Sequence, residues 1–357
     1  NASGMGNAYA GQAAVAADAS TVFFNPAGLT RLPGRQVALA GHVIVPSSKF
    51  SDSDSSVGPT QTDLGGEGGD SGQAAFVPNL FVALPVGGRT TLGLGVSAPF
   101  GLVTEYDRDW IGRFQAVKSD LKTLNVNPSL AFKLDETWSV GIGLNAQQAK
   151  AELTKMANYG AVAVLMHQQN AAFDPTPYLD AEGLAKVKGD DWGWGYNLGL
   201  LYEPRADLRI GFSYRSKVDY TLEGRVAYAN RPAPQAGLLP DGPVSARATL
   251  PASASISLYK VLSPAWDLLA DATWTEWSLF DRLTVLRPGG TVVDDTIENW
   301  HDTWRLSLGA TRHVGEKLSW RFGLAFDESP VPDARRTPRI PDQDRYWLAA
   351  GLQYRMD

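Results

Sequence analysis

Histidine is the side chain of this chain that could act as an acid or base near neutral pH, because the 357-residue sequence contains no cysteine. No pair of carboxylates has a context that suggests catalysis, and no nucleophile motif surrounds the four histidines, which are His42, His167, His301 and His313. A lipase would need a serine brought beside one of them. No spacing of side chains resembles a zinc site. We therefore expect neither an enzyme nor a metal or organic cofactor.

Binding of an apolar molecule is a second chemical possibility, and residues 156–190 point to it. This stretch reads as a long loop, yet it is unusually rich in apolar side chains, among them Met166, Phe173, Tyr178 and Leu179. Exposed apolar patches often mark binding surfaces. The same side chains could instead pack the loop onto its neighbours, and both roles can hold together.

The elements that must position these side chains follow a rhythm of short and long connections. Tight turns alternate with long loops: the turns are residues 85–89, 134–137, 203–207, 262–265 and 314–317, and the loops are residues 47–73, 103–119, 156–190, 224–245, 288–299 and 327–343. Barrels of the bacterial outer membrane have short periplasmic turns and longer external loops. The rhythm therefore predicts an all-β protein, a transmembrane antiparallel β-barrel.

Side-chain alternation supports the barrel. Leu124, Leu130 and Phe132 interleave with Asn125 and Asn127, which gives one apolar and one polar face at period two. A soluble sandwich or propeller also alternates, but segments of roughly 10 residues with charged polar faces fit a lipid-facing exterior and a wet interior better. No window approaches the roughly 20 apolar residues of a membrane-spanning helix. The net charge of −6 argues against a nucleic-acid partner, and a barrel would contact outer-membrane lipid and lipopolysaccharide.

Two stretches break the alternation. Residues 1–32 are rich in Ala, Gly and Ser, and because Val22 and Phe23 need burial, the stretch reads as a plug inside the barrel better than as a disordered tail. The second break is residues 97–101, where Pro99 and Gly101 interrupt the third strand. Either the strand ends at Ala98 and an external loop begins, or it continues past a kink that opens a gap in the wall.

Several motifs resemble those of the FadL family of outer-membrane long-chain fatty acid transporters, which includes relatives that handle toluene and xylene. They occur in the family's order at residues 4–11, 18–29, 76–79, 100–105, 329–332 and 340–347. The resemblance implies a fourteen-stranded barrel closed by an N-terminal hatch. It also implies capture of a hydrophobic substrate at external loops, transfer to an internal site and sideways exit through a wall gap. The hatch motif is expected near an inward kink of the third strand, that is, Asn25, Pro26 and Ala27 near Pro99, Phe100 and Gly101.

The chain is expected to divide into a hatch at residues 1–35 and a barrel at residues 36–357. About twelve strands are recognisable, the last running from Arg345 to Met356, whereas the family continues for a further hairpin. We therefore expect the barrel to be truncated at its C-terminus. We also expect a monomer.

A fatty acid needs a donor or a cation for its carboxylate inside the barrel. If the alternation that starts at Ser139 continues, every second side chain from Ser139 faces the interior, and Lys155 is one of them. By the same count His301 faces the interior together with Thr303 and Arg305. By the resemblance, Lys155 and His301 fall near basic positions of the family's internal site. Either residue could instead be an ordinary wall residue that faces water, and a neutral histidine is the weaker partner for an anion.

Three functions stay open. The sequence favours passive uptake of long-chain fatty acids. A channel of the same architecture for aromatic or alkyl hydrocarbons would need no cation in its internal site. An adhesin or phage receptor, whose barrel transports nothing, would need no apolar pocket inside the barrel.

Overall fold

A computed structural model describes residues 2–56, 58 and 63–356. Within these residues, seventeen strands form twelve antiparallel runs that pair in chain order, and five of the runs are broken into two strands. The runs are β1 Gln36–Ile44; β2 Ala75–Pro85; β3 Thr90–Ser97 with β4 Gly101–Glu105; β5 Lys118–Lys133; β6 Trp138–Asn158; β7 Glu182–Arg205; β8 Leu208–Arg215 with β9 Val218–Tyr228; β10 Gly242–Leu250 with β11 Ser253–Ser263; β12 Trp266–Thr275 with β13 Arg282–Leu286; β14 Val292–Ile297 with β15 Thr303–Val314; β16 Leu318–Asp327; and β17 Arg345–Tyr354. The predicted antiparallel barrel is confirmed.

The alternation sorts side chains between the outside and the inside of the barrel. Along β5, Leu124, Leu130 and Phe132 are more than 40% exposed, whereas Asn125 and Asn127 are almost fully buried. Successive side chains of a strand point to opposite faces, so the exposed set forms the outer, lipid-facing surface and the polar set faces the interior. The same holds along β6, β7, β15 and β16, whose exposed apolar residues include Leu144, Trp194, Leu308 and Leu324.

The connections follow the predicted rhythm with one exception. All five tight turns are present, between β2 and β3, β5 and β6, β7 and β8, β11 and β12, and β15 and β16. The long loop predicted at residues 288–299 is wrong, because Val292–Ile297 forms β14 and pairs with β13. The connection shrinks to a turn in which Gly289 and Gly290 adopt positive φ.

Helices are few and short. The N-terminal segment, which we define as residues 2–35, contains α1 Ala2–Met5, α2 Gln12–Val15, α3 Thr21–Phe24 and a 3₁₀ helix at Pro26–Arg31. The longest helix, α4 Tyr159–Gln169, lies in the third long loop, and its first turn is capped by Asn158, whose Oδ1 accepts from the Ala161 amide at 2.8 Å. No helix of the described residues is both long and apolar enough to cross a membrane.

The N-terminal segment packs against the inner wall of the barrel. Val22 and Leu29 form a buried cluster with Phe81 of β2 and Ala131 of β5. Its backbone approaches the strands so closely that only glycine fits on the wall at several points. A Cβ at Gly141 would lie 2.4 Å from the Ala27 nitrogen, and similar overlaps meet a Cβ at Gly199, Gly211 and Gly323. Small residues in the segment and glycines in the wall therefore make the contact possible.

Asn25 fixes the centre of this segment. Its side chain is fully buried, its Nδ2 donates to the carbonyls of Ala13 at 2.6 Å and Leu200 of β7 at 3.1 Å, and its Oδ1 accepts from the Ala27 amide at 3.0 Å. Pro26 follows as the first residue of the 3₁₀ helix, where its missing N–H costs nothing. The turn is thus tied both to the segment itself and to the wall.

Asn25→Ala should loosen the N-terminal segment while the barrel stays folded. The substitution leaves the buried carbonyls of Ala13 and Leu200 without this donor, which costs about 1–3 kcal/mol. We expect faster hydrogen exchange and protease cleavage confined to the first 35 residues. Asn170→Ala in the exposed third loop is the control, because among the described residues its side chain accepts only from the nearby Ala172 amide. Equal protection of the segment in both variants would contradict the anchoring role of Asn25.

Candidate functional site

The third run of the barrel is interrupted but does not end. β3 pairs with β5 up to Ser97↔Asn125, and β4 resumes pairing with the same strand at Gly101↔Lys122. Three residues, 98–100, therefore stand opposite two, 123 and 124, which is one extra residue and a β-bulge. Thr123 holds the bulge, because its hydroxyl accepts from the Phe100 amide at 2.9 Å and donates to the Phe100 carbonyl at 2.6 Å. Of the two predicted alternatives, the strand that continues past Pro99 is the one observed.

The bulge leaves an opening in the wall beside β2. Among the described residues, β2 pairs with the third run only from Leu80↔Val96 to Pro85↔Thr91, while its residues 75–79 pair with β1 alone. Above this stretch the wall closes again, since a bridge joins Gly72 to Thr104. We call the opening between residues 75–79 and 98–103 the wall window. Across this opening β2 and the third run form no ladder with each other among the described residues.

A cavity of about 340 Å³ lies behind the wall window, and we call it the gate cavity. Pro99 and Phe100 line one side of it, and Phe23 and Phe24 of the N-terminal segment line another. The polar side chains of its lining include His42, Asn79, Arg215, Asp271 and Arg305. The cavity thus touches the wall, the window and the N-terminal segment at once.

The expected approach of the Asn-Pro-Ala motif to the kink needs correction in one respect. The contacts that place Asn25, Pro26 and Ala27 are with β6 and β7, at Gly141, Gly199 and Leu200. The residues of the segment that share a cavity with Pro99 and Phe100 are instead Tyr9, Gln12, Ala13, Phe23 and Phe24. Of these, Phe23 and Phe24 directly precede the motif in the chain.

A second interior cavity, of about 120 Å³, lies further toward the long loops, and we call it the upper pocket. Its lining is mostly apolar, and its apolar residues come from seven strands and two loops: Leu102, Leu121, Ala151, Leu153, Val187, Leu222, Val244, Ala246, Ala248, Phe280, Leu283, Val285 and Ile340. Among its few charged lining residues are Arg339 and Glu298, which come from two loops. Such a pocket suits a ligand with a long apolar part and a single charged end.

Arg339 is the cation of the upper pocket. It is only 8% exposed, and its Nη1 lies 3.3–3.4 Å from the Lys118 and Thr154 carbonyls and the Ser119 hydroxyl, which makes three long hydrogen bonds. Within the described part of the chain, no carboxylate comes within ion-pairing distance of it. Burial lowers the pKa of Arg339, while Asp294 and Glu298 nearby act in the opposite direction. The guanidinium is positioned but not neutralised.

Glu298 is the acidic member of the pocket. Burial raises the pKa of its carboxyl, and the hydrogen bond from the Trp300 indole at 3.2 Å and the charge of Arg339 oppose that shift. Because a raised pKa favours the protonated form, Glu298 competes less strongly for Arg339 than a carboxyl with an ordinary pKa would. An incoming anion therefore meets an available cation.

Lys155 does point into the interior, as its parity predicts. Its ammonium lies 2.8 Å from Asp294 Oδ1, and because Asp294 is on β14, which is not a neighbour of β6, the contact crosses the inside of the barrel. The charge of Lys155 is thus already matched by Asp294. Asp294 in turn lies close enough to Arg339 to affect its pKa. Lys155 and Arg339 share one acidic neighbour.

His301 is placed differently from its predicted position. The strand β15 begins only at Thr303, so strand parity does not extend to His301, and the residue is exposed. Its Nδ1 lies 3.0 Å from the Asp302 carbonyl. The inward parity assigned to His301 is wrong, and the reason is that residues 298–302 break the tenth run of the barrel.

The apolar third loop shows the packing role that the sequence leaves open. Tyr159 is fully buried, its hydroxyl donates to the Ala229 carbonyl at 2.7 Å, and its carbonyl accepts from Gln235 at 2.8 Å. Phe173 and Tyr178 stack with ring centres 5.8 Å apart. Both of these rings remain partly exposed, as do Met166 and Leu179. The loop is folded onto its neighbours and still offers apolar surface.

Phe100 has contacts toward both interior cavities. Its ring packs on a buried cluster that contains Tyr220 and Leu222, and it meets Trp277 edge-on at 5.9 Å. Leu222 also lines the upper pocket, whereas Phe100 lines the gate cavity. The Phe100 ring therefore borders the gate cavity and packs on a cluster that also borders the upper pocket.

Ser319 and Asp267 flank His313 near the short turns, at 2.9 Å from its Nδ1 and 2.8 Å from its Nε2. The trio resembles the side chains of a hydrolase, but Ser319 is simply the cross-strand neighbour of His313. The His313 amide donates to the Ala265 carbonyl, so it is not free to stabilise an oxyanion. We assign the trio to the wall of the barrel.

Sequence reasoning missed Arg339 and Arg215. Arg339 lies in a loop where no alternation exists, although it directly precedes the motif at residues 340–347. Arg215 is the last residue of β8 and faces the interior, as several other cations of the wall do. Its position in the sequence therefore does not distinguish it from them. Proximity to a motif is the one signal that could have identified Arg339.

Comparison with known proteins gives matches along the whole chain. A family model described as outer membrane protein transport protein (OMPP1/FadL/TodX) matches residues 1–357. The long-chain fatty acid transport protein of Escherichia coli O6:H1 is 34% identical over 375 residues, which cover 99% of this chain and 81% of that protein. Outer membrane protein P1 of Haemophilus influenzae is 31% identical over 374 residues, covering 99% and 80%.

Solved structures show the same fold. A FadL homologue of Pseudomonas aeruginosa superimposes with a TM-score of 0.85 at 27% identity, covering 100% of this chain and 86% of that one. The toluene transporter TodX of P. putida gives a TM-score of 0.69 at 20% identity, covering 95% and 84%. The second likeness concerns the fold alone.

Proposed function

Because the chain belongs to the OMPP1/FadL/TodX family of outer membrane transport proteins, we propose that it is a channel for the passive uptake of long-chain fatty acids. It is a β-barrel of the outer membrane and not an enzyme. The finer assignment concerns the substrate, the residues that bind it and the path it follows. The observation that carries this assignment is the buried cation Arg339, which no carboxylate of the described residues pairs, in a pocket whose lining is mostly apolar.

The upper pocket matches the two parts of a fatty acid. A hydrocarbon tail gains about 25 cal/mol for each Å² of apolar surface that leaves water, and the pocket supplies apolar walls. A carboxylate can accept from the guanidinium of Arg339 in two parallel hydrogen bonds, which are stronger than its present long contacts. The pocket thus favours an amphipathic anion over a purely polar solute.

The route we propose begins at the third long loop, where Met166, Phe173, Tyr178 and Leu179 offer a first apolar surface. The molecule then enters the upper pocket, passes Phe100 into the gate cavity and leaves through the wall window. An apolar tail has its most favourable destination in the lipid beside the wall, not in water below the barrel. Lateral release follows that gradient.

Residues 1–35 act in this proposal as the hatch that closes the path to the periplasm. This role is supported by the packing of Val22, Leu29 and Asn25 against the inner wall. The gate consists of the anchored turn Asn25, Pro26 and Ala27 and of the bulge Pro99, Phe100 and Gly101, with Phe23 and Phe24 between them. A hatch that remains anchored at Asn25 while the window opens directs the substrate sideways.

A channel for aromatic or alkyl hydrocarbons is the second candidate. The apolar lining of the upper pocket would suit such a ligand, but a hydrocarbon has no use for a buried cation, whose desolvation is unfavourable without an anion. An adhesin or receptor that transports nothing explains neither interior cavity.

Binding of a matched pair of ligands tests the proposal. Oleic acid and oleyl alcohol share their chain and differ in the carboxylate. We expect the purified protein to bind oleate more tightly, by roughly tenfold or more, because a charge-assisted hydrogen bond is worth about 1.5–3 kcal/mol. Equal affinity for the acid and the alcohol would favour the hydrocarbon channel.

Lys155→Ala should weaken oleate binding by a few-fold. Without its ammonium, the carboxylate of Asp294 is left unpaired next to Arg339 and competes with the ligand, an effect of about 0.2–1 kcal/mol for a partly exposed ion pair. Isothermal titration of the purified variant measures it. Lys150→Ala, an exposed residue on the same strand, is the control. A loss as large for oleyl alcohol as for oleate would show that the substitution disturbs the pocket itself.

A further inference from the structure

A second cation without an acidic partner lies in the gate cavity. Of the two arginines that line it, Arg305 lies 3.6 Å from Asp271, whereas Arg215 has no carboxylate within ion-pairing distance among the described residues. Arg215 lies deep inside the barrel and is still partly accessible from the cavity. A charge in this position is costly unless an anion reaches it at some stage.

The present contacts of Arg215 are all neutral. One guanidinium nitrogen donates to Oδ1 of Asn145, and the other donates to the backbone carbonyl of Phe23 at 2.9 Å. The guanidinium also lies over the Phe23 ring, 4.4 Å from its centre. The cation therefore holds the N-terminal segment at Phe23 without being neutralised by it.

A buried amide network fixes the wall side of this contact. Asn145 accepts from Asn125 at 3.0 Å and donates to Asn197 at 3.1 Å, and Asn127 donates to Asn197 at 2.9 Å. All four asparagines are at most 2% exposed. Because Asn145 is held by both Asn125 and Asn197, it orients the guanidinium of Arg215 from the wall side and leaves the Phe23 carbonyl as the contact that can be exchanged.

We propose that Arg215 is a second carboxylate-binding residue, which receives the head group of a fatty acid in the gate cavity and releases the hatch at Phe23. This step rests on the proposed function, because it requires a fatty acid to arrive from the upper pocket. The tail of the molecule then lies along Pro99 and Phe100 toward the wall window, since these residues line the same cavity.

The exchange is favourable because of the chemistry of the two acceptors. A carboxylate accepts two charge-assisted hydrogen bonds from a guanidinium, whereas the Phe23 carbonyl accepts one ordinary bond. Arrival of the head group would displace that carbonyl and weaken the hold on the hatch. A hydrocarbon or an alcohol cannot make this exchange. Release of Phe23 triggered by the ligand would thus depend on the carboxylate, whereas an alcohol would pass only when that contact opens spontaneously.

Uptake by cells that carry Arg215→Gln tests the proposal, with Arg215→Lys as the variant that keeps the charge. We expect oleate uptake to fall by about tenfold in the glutamine variant and to be largely kept in the lysine variant. Uptake of oleyl alcohol should not change. Oleate affinity of the purified glutamine variant, which reports the upper pocket, should stay within about twofold of the parent.

Hydrogen exchange supplies the second measurement. Oleate should accelerate exchange at residues 21–25 in the parent protein but not in Arg215→Gln, and oleyl alcohol should do so in neither. Equal losses of acid and alcohol uptake would show that Arg215 only supports the fold, and unchanged oleate uptake would also overturn the proposal. Failure of the proposed function is distinct, because the parent protein would then bind oleate no better than the alcohol, and both proposals would fall.

Discussion

Deletion of Ala98 together with Pro99→Val and Gly101→Leu should reduce fatty acid uptake by roughly tenfold or more. A tenfold reduction corresponds to an increase of about 1.4 kcal/mol in the activation free energy of transport. The bulge consists of one extra residue, so its removal lets the register of Val96↔Leu80 continue and brings residues 97–102 opposite residues 75–79. The wall window would then be closed by a regular ladder. Surface expression and oleate binding, measured separately, should be retained.

The matched control keeps the length of the strand. Pro99→Val with Gly101→Leu, but with Ala98 present, retains the extra residue and should retain the bulge. A leucine at Gly101 meets no close neighbour, since a Cβ there would lie 3.7 Å from the nearest atom, the Leu121 carbonyl oxygen. We expect uptake near that of the parent protein. Undiminished uptake by the deletion variant, with a demonstrably straight third strand, would rule out the wall window as the exit.

Arg339→Met should weaken oleate binding by about 10- to 100-fold, the equivalent of about 1.5–3 kcal/mol for a hydrogen bond to a charged group. Methionine fills a similar length of the pocket without a charge, so the affinity for oleyl alcohol should change little. Titration of the purified protein with both ligands measures the difference.

Arg335→Met is the control for this substitution. Arg335 belongs to the same loop but is exposed and ends a short 3₁₀ helix, Asp333–Arg335. Its removal should leave the binding of both ligands unchanged. If Arg339→Met lost both ligands equally, Arg339 would hold the loop in place and would not recognise the carboxylate. In that case the preference for a fatty acid would have no support.

The faces of the strands could be predicted because alternation is a local property. Whether Leu124 faces lipid and Asn125 faces the interior depends only on the pleat of a single strand. That the strand is irregular at Pro99 could be predicted for a similar reason, since proline cannot donate a hydrogen bond to the neighbouring strand. Its consequence, that Leu102 and not Gly101 faces the interior, depends on counting residues on both strands.

The composition of the site could not be predicted, because it depends on contacts between distant parts of the chain. Lys155 meets Asp294 across the interior, and Arg339 reaches Ser119 from a loop that has no period. The interruption at residues 298–302 removed the parity on which the placement of His301 relied. Only the relative positions of the strands and loops decide which charges are paired.

The path of the substrate can be tested directly with a long-chain fatty acid that carries a photoreactive diazirine at the end of its tail. After illumination of outer membranes that contain the protein, mass spectrometry identifies the modified residues. We expect adducts at the wall window, in residues 75–79 and 98–101, and fewer when Arg339 is replaced by methionine. Adducts around Arg209, His313 and Ser319, near the short turns, with none at the wall window, would contradict lateral release and indicate an axial path.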